Sequence, residues 1–282
     1  MKKNFLIAVF LLVFLYFSEG SLLAAASQRF ISLAPAITEI LFALGLKDEV
    51  VGVTTFCNYP PETKSIEKVG TFSEPSIEKI VSLRPDLIFA TGLEQDNVVN
   101  QLKQLNLKVY VSDPKNIEEL LESIRQIGRL TNKQEQALVL IEGMQHRIVQ
   151  IQNKVKQIPE EKKPKVFIEI WHDPLMTAGH GSFVDELITL AGGVNIAYDT
   201  PRAYSYFSAE NVIERNPDCI IFGYMDDPGS QNQASRRLGW NQINAVKNNR
   251  LHNDINPDLI FRPGPRLVNG LEEIYQRLHN KQ

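Results

Sequence analysis

Two segments of the sequence place a glutamate at the same position relative to a serine, a proline and an aspartate. SIEKIVSLRPDLIF begins at Ser76, and SAENVIERNPDCIIF begins at Ser208. Each serine is a good helix N-cap, and each glutamate then falls in the first turn, where the helix dipole stabilises a carboxylate. Pro-Asp ends the helix before an apolar run. Local stability alone explains each copy, but the duplication indicates a matched pair of anionic contacts, Glu78 and Glu210.

Aromatic side chains occupy the loops that lead into these helices and two further loops. Phe72 and Tyr204 stand six residues before the two glutamates, in segments rich in Gly, Ser and Pro. Tyr59 in CNYPP and the pair Trp171 and His172 after KVFIEI lie at similar loop positions. Packing explains each residue taken singly, because aromatics fill cores more often than sites. Taken together, they suit a ligand with a large apolar face.

The sequence lacks the spacings that enzymes and metal sites require. It contains no GxSxG, no Walker loop, no HExxH and no glycine-rich dinucleotide fingerprint. The duplicated glutamates make a poor glycosidase pair, because first-turn carboxylates of two separate helices do not converge on one bond. His172, His180 and His252 are far apart in sequence, which disfavours a zinc or manganese carrier. We therefore expect no enzyme and no metal site, and a secreted hydrolase or a divalent-metal-binding protein is the weaker alternative.

Strands alternate with helices along most of the chain, which predicts an α/β fold with mostly parallel sheets. The strands are expected in apolar runs such as RFISLA, VVGVT, LIFA, KVYVS, KVFIEI, CIIF and LHNDI. Helices are expected in ITEILFALGL and FVDELITLAGG, and at 76–84, 97–105, 117–130, within 233–247 and near 266–278. Two α/β lobes are predicted, at residues 27–130 and 159–282.

The segment 131–158 between the lobes has apolar residues at helical spacing. Alternate steps of four and three residues separate Ala137, Ile141, Met144, Ile148, Ile151, Val155 and Ile158. This pattern predicts one helix with a continuous apolar stripe. A coiled-coil seam is the alternative, but the segment holds only three heptads. We expect a single long α-helix that joins the two lobes, with little relative motion around the cleft between them.

The N-terminus has the pattern of an export signal. Lys2 and Lys3 precede an apolar run that is short for a membrane span, and three alanines ending at Ala26 offer a cleavage site. We predict a signal peptide at residues 1–26, with an uncleaved anchor as the alternative. No cysteine precedes Cys57, so the sequence has no lipobox cysteine, and we expect a soluble protein in the periplasm.

Charge and cysteine content narrow the choice of partners. Thirty Lys and Arg stand against 33 Asp and Glu, for a net charge of -3, and no basic run is present to follow a phosphate backbone. We therefore expect no nucleic acid partner. Cys57 and Cys219 lack metal-ligand spacing. The apolar run CIIF predicts a buried thiol at Cys219, and a disulfide between the two cysteines is the alternative in an oxidising compartment.

Several of these blocks together resemble one known family. RFISLAPAITEILFALGL, VVGVTTFCNYPPE, VGTFSEPSIEKIVSLRPDLIFATG and SFVDELITLAGGVNIA are similar to the helical-backbone class (class III) of periplasmic substrate-binding proteins of ABC importers, especially the cobalamin-binding branch. The resemblance covers about residues 29–279. It implies two α/β lobes bridged by one long helix, a transported ligand between them and no resident cofactor.

The resemblance also implies a membrane partner. In this class one glutamate on each lobe docks onto arginines of the two permease subunits, and the matching positions here are Glu78 and Glu210. A carrier with two similar lobes that meets a two-fold symmetric permease dimer needs one anchor on each lobe. We therefore expect a monomer that docks on an ABC importer permease dimer in the inner membrane.

The ligand that the resemblance implies is cobalamin or a related corrinoid, held by aromatic residues of both lobes. The matching positions are Tyr59, Phe72 and Tyr204, and an acidic and basic segment at the edge of the cleft matches Asp258, Arg262 and Arg266. Phe72 and Tyr204 stand in place of tryptophans, which reduces the stacking surface. Trp171 and His172 are also predicted to bind the ligand, because they lie at similar loop positions.

Ferric siderophores and haem are the alternative ligands, because relatives with the same architecture carry them. A siderophore is often anionic and would recruit arginines such as Arg202, Arg262 or Arg266. Haem would require an axial Tyr or His, for which Tyr59 and His172 are available. A corrinoid is a mostly neutral macrocycle edged with amides, which flat apolar contacts and a few polar groups would hold.

Overall fold

The computed structural model describes residues 28–224 and 234–280. The predicted signal peptide at residues 1–26 lies outside these ranges. Within them, every helix is too short or too polar to cross a lipid bilayer.

The first lobe is built on a five-stranded parallel sheet. Its strands are β1 Phe30–Ser32, β2 Val50–Val53, β3 Glu67–Lys68, β4 Leu87–Ala90 and β5 Val109–Val111, in the order β3-β2-β1-β4-β5. Its helices are α1 Pro35–Ala43, α2 Ile77–Ser82, α3 Asp96–Gln104 and α4 Ile117–Leu130. The strand order reverses between β1 and β4, and ligands of such sheets bind outside the carboxyl ends of the strands at that point.

Alternating side chains of β1 and β4 fill the core on both faces of this sheet. Ile31 and Ile88 pack with residues of α2 and α3, whereas Phe30 and Phe89 pack with residues of α1 and α4. A strand that is buried on both faces reads as a continuous apolar run, which is why RFISLA and LIFA were recognisable.

After the long helix α5 Gln134–Val155, the second lobe holds one parallel and one antiparallel sheet. The elements follow in the order β6 Lys165–Glu169, β7 Trp171–His172, β8 Leu175–Ala178, α6 Phe183–Leu190, β9 Val194–Asn195, β10 Tyr204–Tyr206, α7 Ala209–Arg215, β11 Cys219–Phe222, α8 Asn244–Lys247, β12 Leu251–His252, α9 Asp258–Phe261 and α10 Leu267–His279. The parallel sheet has the order β12-β11-β6-β9, and β10-β8-β7 form the antiparallel sheet, which was not predicted.

The helix α5 confirms the predicted connection between the lobes. It is three residues shorter at each end than the predicted segment 131–158, and its 22 residues span about 33 Å. The predicted apolar residues within it are buried as far as Ile151, and Val155 is half-buried. The helix contacts α4 of the first lobe and both α6 and α10 of the second.

The duplicated Pro-Asp pair has the same structural role in both lobes. Asp86 Oδ2 accepts a hydrogen bond from the backbone N–H of Arg29 at 2.8 Å, immediately before β1. Asp218 Oδ2 accepts from the backbone N–H of Lys165 at 2.9 Å, at the start of β6. Each aspartate therefore ties the strand that follows it to the central strand of its sheet. This contact adds a reason for the repeat that the sequence alone did not reveal.

A helix was predicted within residues 233–247, and the structure contains the four-residue helix α8 there. Residues 234–236 are also helical, and a short 3-10 turn at Trp240–Gln242 separates these two pieces. Gly239 adopts a φ of +79°, which a continuing helix does not allow. The buried Trp240 ring packs against Phe167, so tertiary contacts override the local preference.

The two cysteines are free thiols, so the disulfide alternative is not formed in this structure. Cys57 is buried in the first lobe, with its Sγ 3.1 Å from the Thr38 hydroxyl. Cys219 lies in β11 of the second lobe, and burial raises the pKa of its thiol to about 12. The predicted burial of Cys219 is confirmed.

Candidate functional site

A cleft of about 430 Å³ lies at the carboxyl ends of the first-lobe strands. Segments that follow β1, β2, β4 and β5 form its walls, and they include Ala34 to Ile37, Phe56, Thr91 and Ser112. Phe261, Arg262 and Pro263 of the second lobe complete the lining. The cleft therefore lies between the lobes, at the edge where the order of the first sheet reverses.

Phe72 reaches the cleft from the loop between β3 and α2. Gly70 in this loop has a φ of +118°, and a Cβ there would lie 2.6 Å from the carbonyl oxygen of Glu74, so only glycine fits. The buried amide of Gln95 donates to the carbonyl oxygens of Phe72 at 2.8 Å and Leu33 at 2.9 Å. The backbone that carries Phe72 is thereby fixed to the end of β1.

The amino terminus of α1 also opens onto the cleft. Ala34 is the N-cap, and its side chain offers no oxygen to the first-turn amides. Ala36 and Ile37 line the cleft in this first turn. Uncapped amides at a helix start are donors with a favourable dipole, so they suit a ligand that presents carbonyl or carboxylate oxygens.

Charged side chains link the lobes beside the cleft. The guanidinium of Arg266 donates to both carboxylate oxygens of the buried Glu39, at 2.6 and 2.8 Å. Arg262 pairs with Asp258 at 2.8 Å and donates to Asn58 Oδ1 at 2.7 Å. Each of these arginines is neutralised by a carboxylate, so neither leaves a free positive charge at the cleft.

Tyr59 belongs to this junction between the lobes. Its ring centroid lies 3.8 Å from the guanidinium carbon of Arg266, which is a close cation–π contact. Asp258 and Tyr59 do not line the cleft, whereas Arg262 does. Their expected contact with a ligand stays a prediction, and their observed contacts join the two lobes.

Trp171 and Tyr204 come together on one face of the antiparallel sheet, which we call the aromatic face. Met176 lies opposite both Trp171 and Tyr206 in the strand register, and Tyr204 is two residues from Tyr206. These four side chains therefore project to the same side. The strands that carry these side chains follow β6 in the chain. None of the four side chains lines the cleft.

The aromatic face is open to solvent. The exposed fractions are 49% for Trp171, 45% for Tyr204 and 72% for Tyr206. Desolvation by surrounding protein atoms nevertheless raises the pKa of Tyr204. His172 stacks beside Trp171, with ring centroids 5.1 Å apart.

A buried carboxylate lies at the carboxyl end of β6. Glu169 is fully buried and accepts from Arg237 at 2.6 and 2.7 Å and from the Tyr224 hydroxyl at 2.9 Å. Sequence reasoning missed this cluster, although an acidic residue within the apolar run KVFIEI was a signal for it. The adjacent Gly223 lets the Phe261 ring approach, since a Cβ there would lie 2.6 Å from ring atoms.

Glu78 and Glu210 stand exposed in the first turns of α2 and α7. The hydroxyls of Ser76 and Ser208 cap these helices, as predicted, at 3.3 and 3.0 Å from the third helical amide. Neither carboxylate forms an ion pair or hydrogen bond within residues 28–224 and 234–280.

Both glutamates lie at the carboxyl edge of their sheets. Helix α2 precedes β4 and helix α7 precedes β11, so each helix runs against its strand and begins near the carboxyl end of that strand. The cleft is at this same edge of the first sheet. The structure therefore places one unpaired carboxylate on each lobe, on the cleft side.

The three histidines considered for a metal site are not brought together. His172 lies beside the aromatic face, His180 is 3.6 Å from Asp185, and His252 is buried in β12. In the part of the chain that the structure describes, there is no group of three His, Cys, Asp or Glu that could hold a metal ion.

Comparisons with known proteins agree with this architecture. A family model described as periplasmic binding protein matches residues 31–254. A Bacillus subtilis protein described as an uncharacterized ABC transporter substrate-binding lipoprotein is 36% identical over 257 residues, which cover 89% of this chain and 80% of the relative. A vitamin B12-binding protein of Vibrio cholerae is 29% identical, over 94% of this chain and 96% of the relative. The crystal structure of "a possible an iron-binding (periplasmic solute-binding) protein" from Staphylococcus epidermidis matches with a TM-score of 0.80 and 31% identity, over 90% of this chain and 99% of that one.

Proposed function

The chain belongs to the periplasmic binding protein family, and from this premise we propose that it binds cobalamin or a related corrinoid and delivers it to the permease dimer of an ABC importer. The proposal places the mature protein in the periplasm as a monomer. In this proposal the cleft binds its ligand through noncovalent contacts alone, and the protein carries out no catalytic step.

The chemistry of the cleft is the observation that supports a corrinoid most. Three phenylalanines and three prolines line it, and its polar groups are the hydroxyls of Ser73, Thr91 and Ser112 and the charged side chains of Glu94 and Arg262. The arginines next to it are paired with Asp258 and Glu39. A large, mostly neutral ring edged with amides fits such a surface, and its amide oxygens can accept from the uncapped amides of α1. The name of the Vibrio cholerae relative supports the same ligand.

A ferric siderophore or haem is the second candidate. The description of the Staphylococcus epidermidis protein supports an iron-containing ligand. An anionic siderophore would need free cations, however, and the two arginines at the junction are already paired. Haem would need an axial ligand, whereas neither Tyr59 nor His172 lines the cleft, and one face of the Tyr59 ring is in contact with Arg266.

A thermal-melt panel tests the choice of ligand. The purified mature protein is heated with cobalamin, haem, a ferric siderophore or zinc, each at the same concentration. We expect cobalamin to raise the midpoint of unfolding in a concentration-dependent way, because a ligand that binds only the folded state stabilises it. A rise with haem or the siderophore, but none with cobalamin, would replace the corrinoid with that ligand.

Delivery to the importer is proposed to use Glu78 and Glu210. Both carboxylates are exposed and unpaired among the described residues, and both lie on the cleft side of their lobes. A charged group at the rim of an interface mainly sets orientation and the rate of encounter. Two such groups on two similar lobes match the two-fold symmetry of a permease dimer.

Charge reversal separates docking from ligand binding. We expect the double variant Glu78→Lys and Glu210→Lys to reduce corrinoid uptake at least about tenfold in cells or proteoliposomes, and to leave the Kd in solution within about twofold. The matched control reverses Glu135 and Glu142 on α5, which are also exposed and have no ion-pair partner in the described part of the chain. Normal uptake by the first double variant would remove these glutamates from the docking surface. A loss of binding in solution would instead indicate that the substitutions damaged the fold.

A further inference from the structure

A second cavity of about 430 Å³ lies in the second lobe, at the edge opposite to the cleft. Lys162 and Pro164 line it just before β6, and Asn248 to Arg250 line it just before β12. The carboxyl end of α10 completes the wall. These segments are at the amino ends of the strands, whereas Phe222 and Gly223, which approach Phe261 of the cleft, are at the carboxyl ends.

The lining of this distal cavity is basic. Its cationic groups are Lys162 and Arg250, and none of its lining residues is an Asp or a Glu. Arg277 also lines it, but its guanidinium is already paired with Asp254 at 2.9 Å and with Glu273 at 3.1 Å. Lys162 is exposed, and its ammonium has no partner among the described residues. Arg250 Nη2 donates to the carbonyl oxygens of Arg277 at 2.9 Å and Leu278 at 2.7 Å. The guanidinium is therefore held in place, and its other N–H groups have no hydrogen-bond partner in the part of the chain that the structure describes.

Polar side chains also line the distal cavity. His252 is only 6% exposed, and its buried Nε2 has no hydrogen-bond partner among the described residues. Burial lowers the pKa of His252, so its ring is uncharged near neutral pH. The side chains of Asn248, Asn249 and Asn280 are exposed and add amide groups to the lining.

We propose that the distal cavity binds a small phosphate-bearing anion, such as inorganic phosphate or a phosphomonoester. The fixed guanidinium of Arg250 and the ammonium of Lys162 would contact the phosphate oxygens, which are strong acceptors. The exposed amides of Asn248, Asn249 and Asn280 would bond the remaining oxygens or the hydroxyl groups of an ester. The cavity volume is within the range of small-molecule sites.

A soluble anion fits the position of the cavity better than a lipid headgroup does. If the protein docks through Glu78 and Glu210 as proposed above, the cleft edge faces the membrane and the distal cavity faces away from it. Only the choice between a soluble anion and a lipid headgroup depends on the proposed function. The binding chemistry itself depends on the lining of the cavity alone.

Titration with inorganic phosphate and with glycerol 3-phosphate tests the proposal in the mature protein, against chloride at equal ionic strength. The five histidines allow an NMR readout of the imidazole signals. We expect phosphate to shift the signals of His252 and to leave those of the exposed His146 unchanged. Lys162→Gln should weaken phosphate binding by about fivefold. The control Lys103→Gln, which removes an exposed and unpaired lysine from α3, should leave binding within about twofold.

Three outcomes would overturn the proposal. The first is an absence of any phosphate-dependent shift beyond the chloride control. The second is an equal loss of affinity in Lys162→Gln and Lys103→Gln, which would indicate non-specific screening. The third is binding to phosphatidylglycerol vesicles that depends on Lys162, without binding of either free phosphate compound. Cobalamin binding should be the same in wild type and Lys162→Gln, so a failure here is distinguishable from a failure of the proposed corrinoid function.

Discussion

Phe56 and Phe72 reach the cleft from two loops and are held to different degrees by the fold. Phe72 is half-buried and packs against the main core, so its removal would affect both ligand and stability. Phe56 is 58% exposed, although it lines the cleft. An exposed aromatic ring on a cleft wall contributes little to the stability of the fold. Its substitution therefore tests ligand contact without a confounding loss of stability.

Removal of the Phe56 ring is expected to weaken the binding of the corrinoid without loss of stability. Phe56→Ala should raise the Kd for cobalamin by about tenfold, since an aromatic contact contributes about 0.5–1.5 kcal/mol beyond its buried area. Calorimetric titration gives the Kd, and a thermal melt without ligand checks the fold. Val139→Ala is the control, because Val139 is exposed on α5 and distant in sequence from every cleft residue. An unchanged Kd in Phe56→Ala would exclude this wall from the ligand site.

Residue types and spacing predicted part of the site. Phe72 was named from its loop position and Arg262 from the family resemblance, and both line the cleft. Phe56 was missed because nothing local distinguishes it from a packing residue, although it follows the carboxyl end of a predicted strand. Trp171 and Tyr204 were named separately, and only the strand register of the antiparallel sheet shows that they share a face with Met176.

At the scale of the elements, α5 is tied to the final helix by a polar contact as well as by its apolar stripe. Arg147 forms a bidentate pair with Glu272, at 2.6 and 2.8 Å, and donates to Asn269 Oδ1 at 2.6 Å. The hydrogen bonds from Arg147 lower the pKa of Glu272. Because both side chains are more than one third exposed, solvent screening limits the strength of the pair.

Loss of this pair should have a small effect that depends on pH. Arg147→Met is expected to lower the free energy of unfolding by about 1 kcal/mol at pH 7, a value discounted for solvent screening. The folded-state pKa of Glu272 is lowered, so the stabilisation is present above its unfolded pKa of about 4.3 and is lost as the pH falls through the folded value. Urea unfolding at pH 7, 5 and 4 measures the difference between variant and wild type.

Arg129→Met on α4 provides the control, because Arg129 is exposed and unpaired among the described residues. It should change the free energy of unfolding by less than about 0.5 kcal/mol at every pH. An Arg147→Met effect that stays constant from pH 7 to pH 4 would show lost packing of the arginine stem, and would argue against the ion pair.

Elements with a strong local signal were predicted well. Helix α4 was predicted at Ile117 to Leu130 and is found there, because the Asn116 side chain caps its first turn and its apolar residues repeat at helical spacing. In the region before β12 the helix predicted within 233–247 is broken into short pieces, since the buried Trp240 packs against Phe167 of β6 and Gly239 is left-handed. Trp171 and His172 of β7 and Tyr204 of β10 were assigned to loops, and no strand was predicted at β8, because such short strands carry little periodic signal.

At the scale of the whole molecule, three connections hold the lobes in a fixed relation. The helix α5 packs on both lobes, and Arg266 pairs with the buried Glu39. In addition, Glu186 of the second lobe accepts a hydrogen bond from the backbone N–H of Ile117 at 2.9 Å, and burial raises the pKa of this carboxyl. The lobes should therefore move little when a ligand enters.

The two-lobe plan was predictable, but the junction was not. The repeated serine, glutamate and Pro-Asp pattern indicated two similar lobes, and the structure explains the aspartates as ties between strands. Glu39 and Arg266 are 227 residues apart, and no local pattern connects them. Asp258 and Arg262 were expected at the edge of the cleft as ligand contacts, whereas their observed partners are each other and groups of the first lobe.

Hydrogen–deuterium exchange of the mature protein with and without cobalamin tests most directly whether a corrinoid lies between the lobes. The account predicts slower exchange in peptides of both lobes at once, namely the turn at Ala34 to Ile37 and the segment Phe261 to Pro263, which line the two sides of the cleft. Exchange around Lys162 and Asn249 in the distal cavity should be unchanged by cobalamin. Protection in one lobe only, or none at the cleft under saturating cobalamin, would contradict the account.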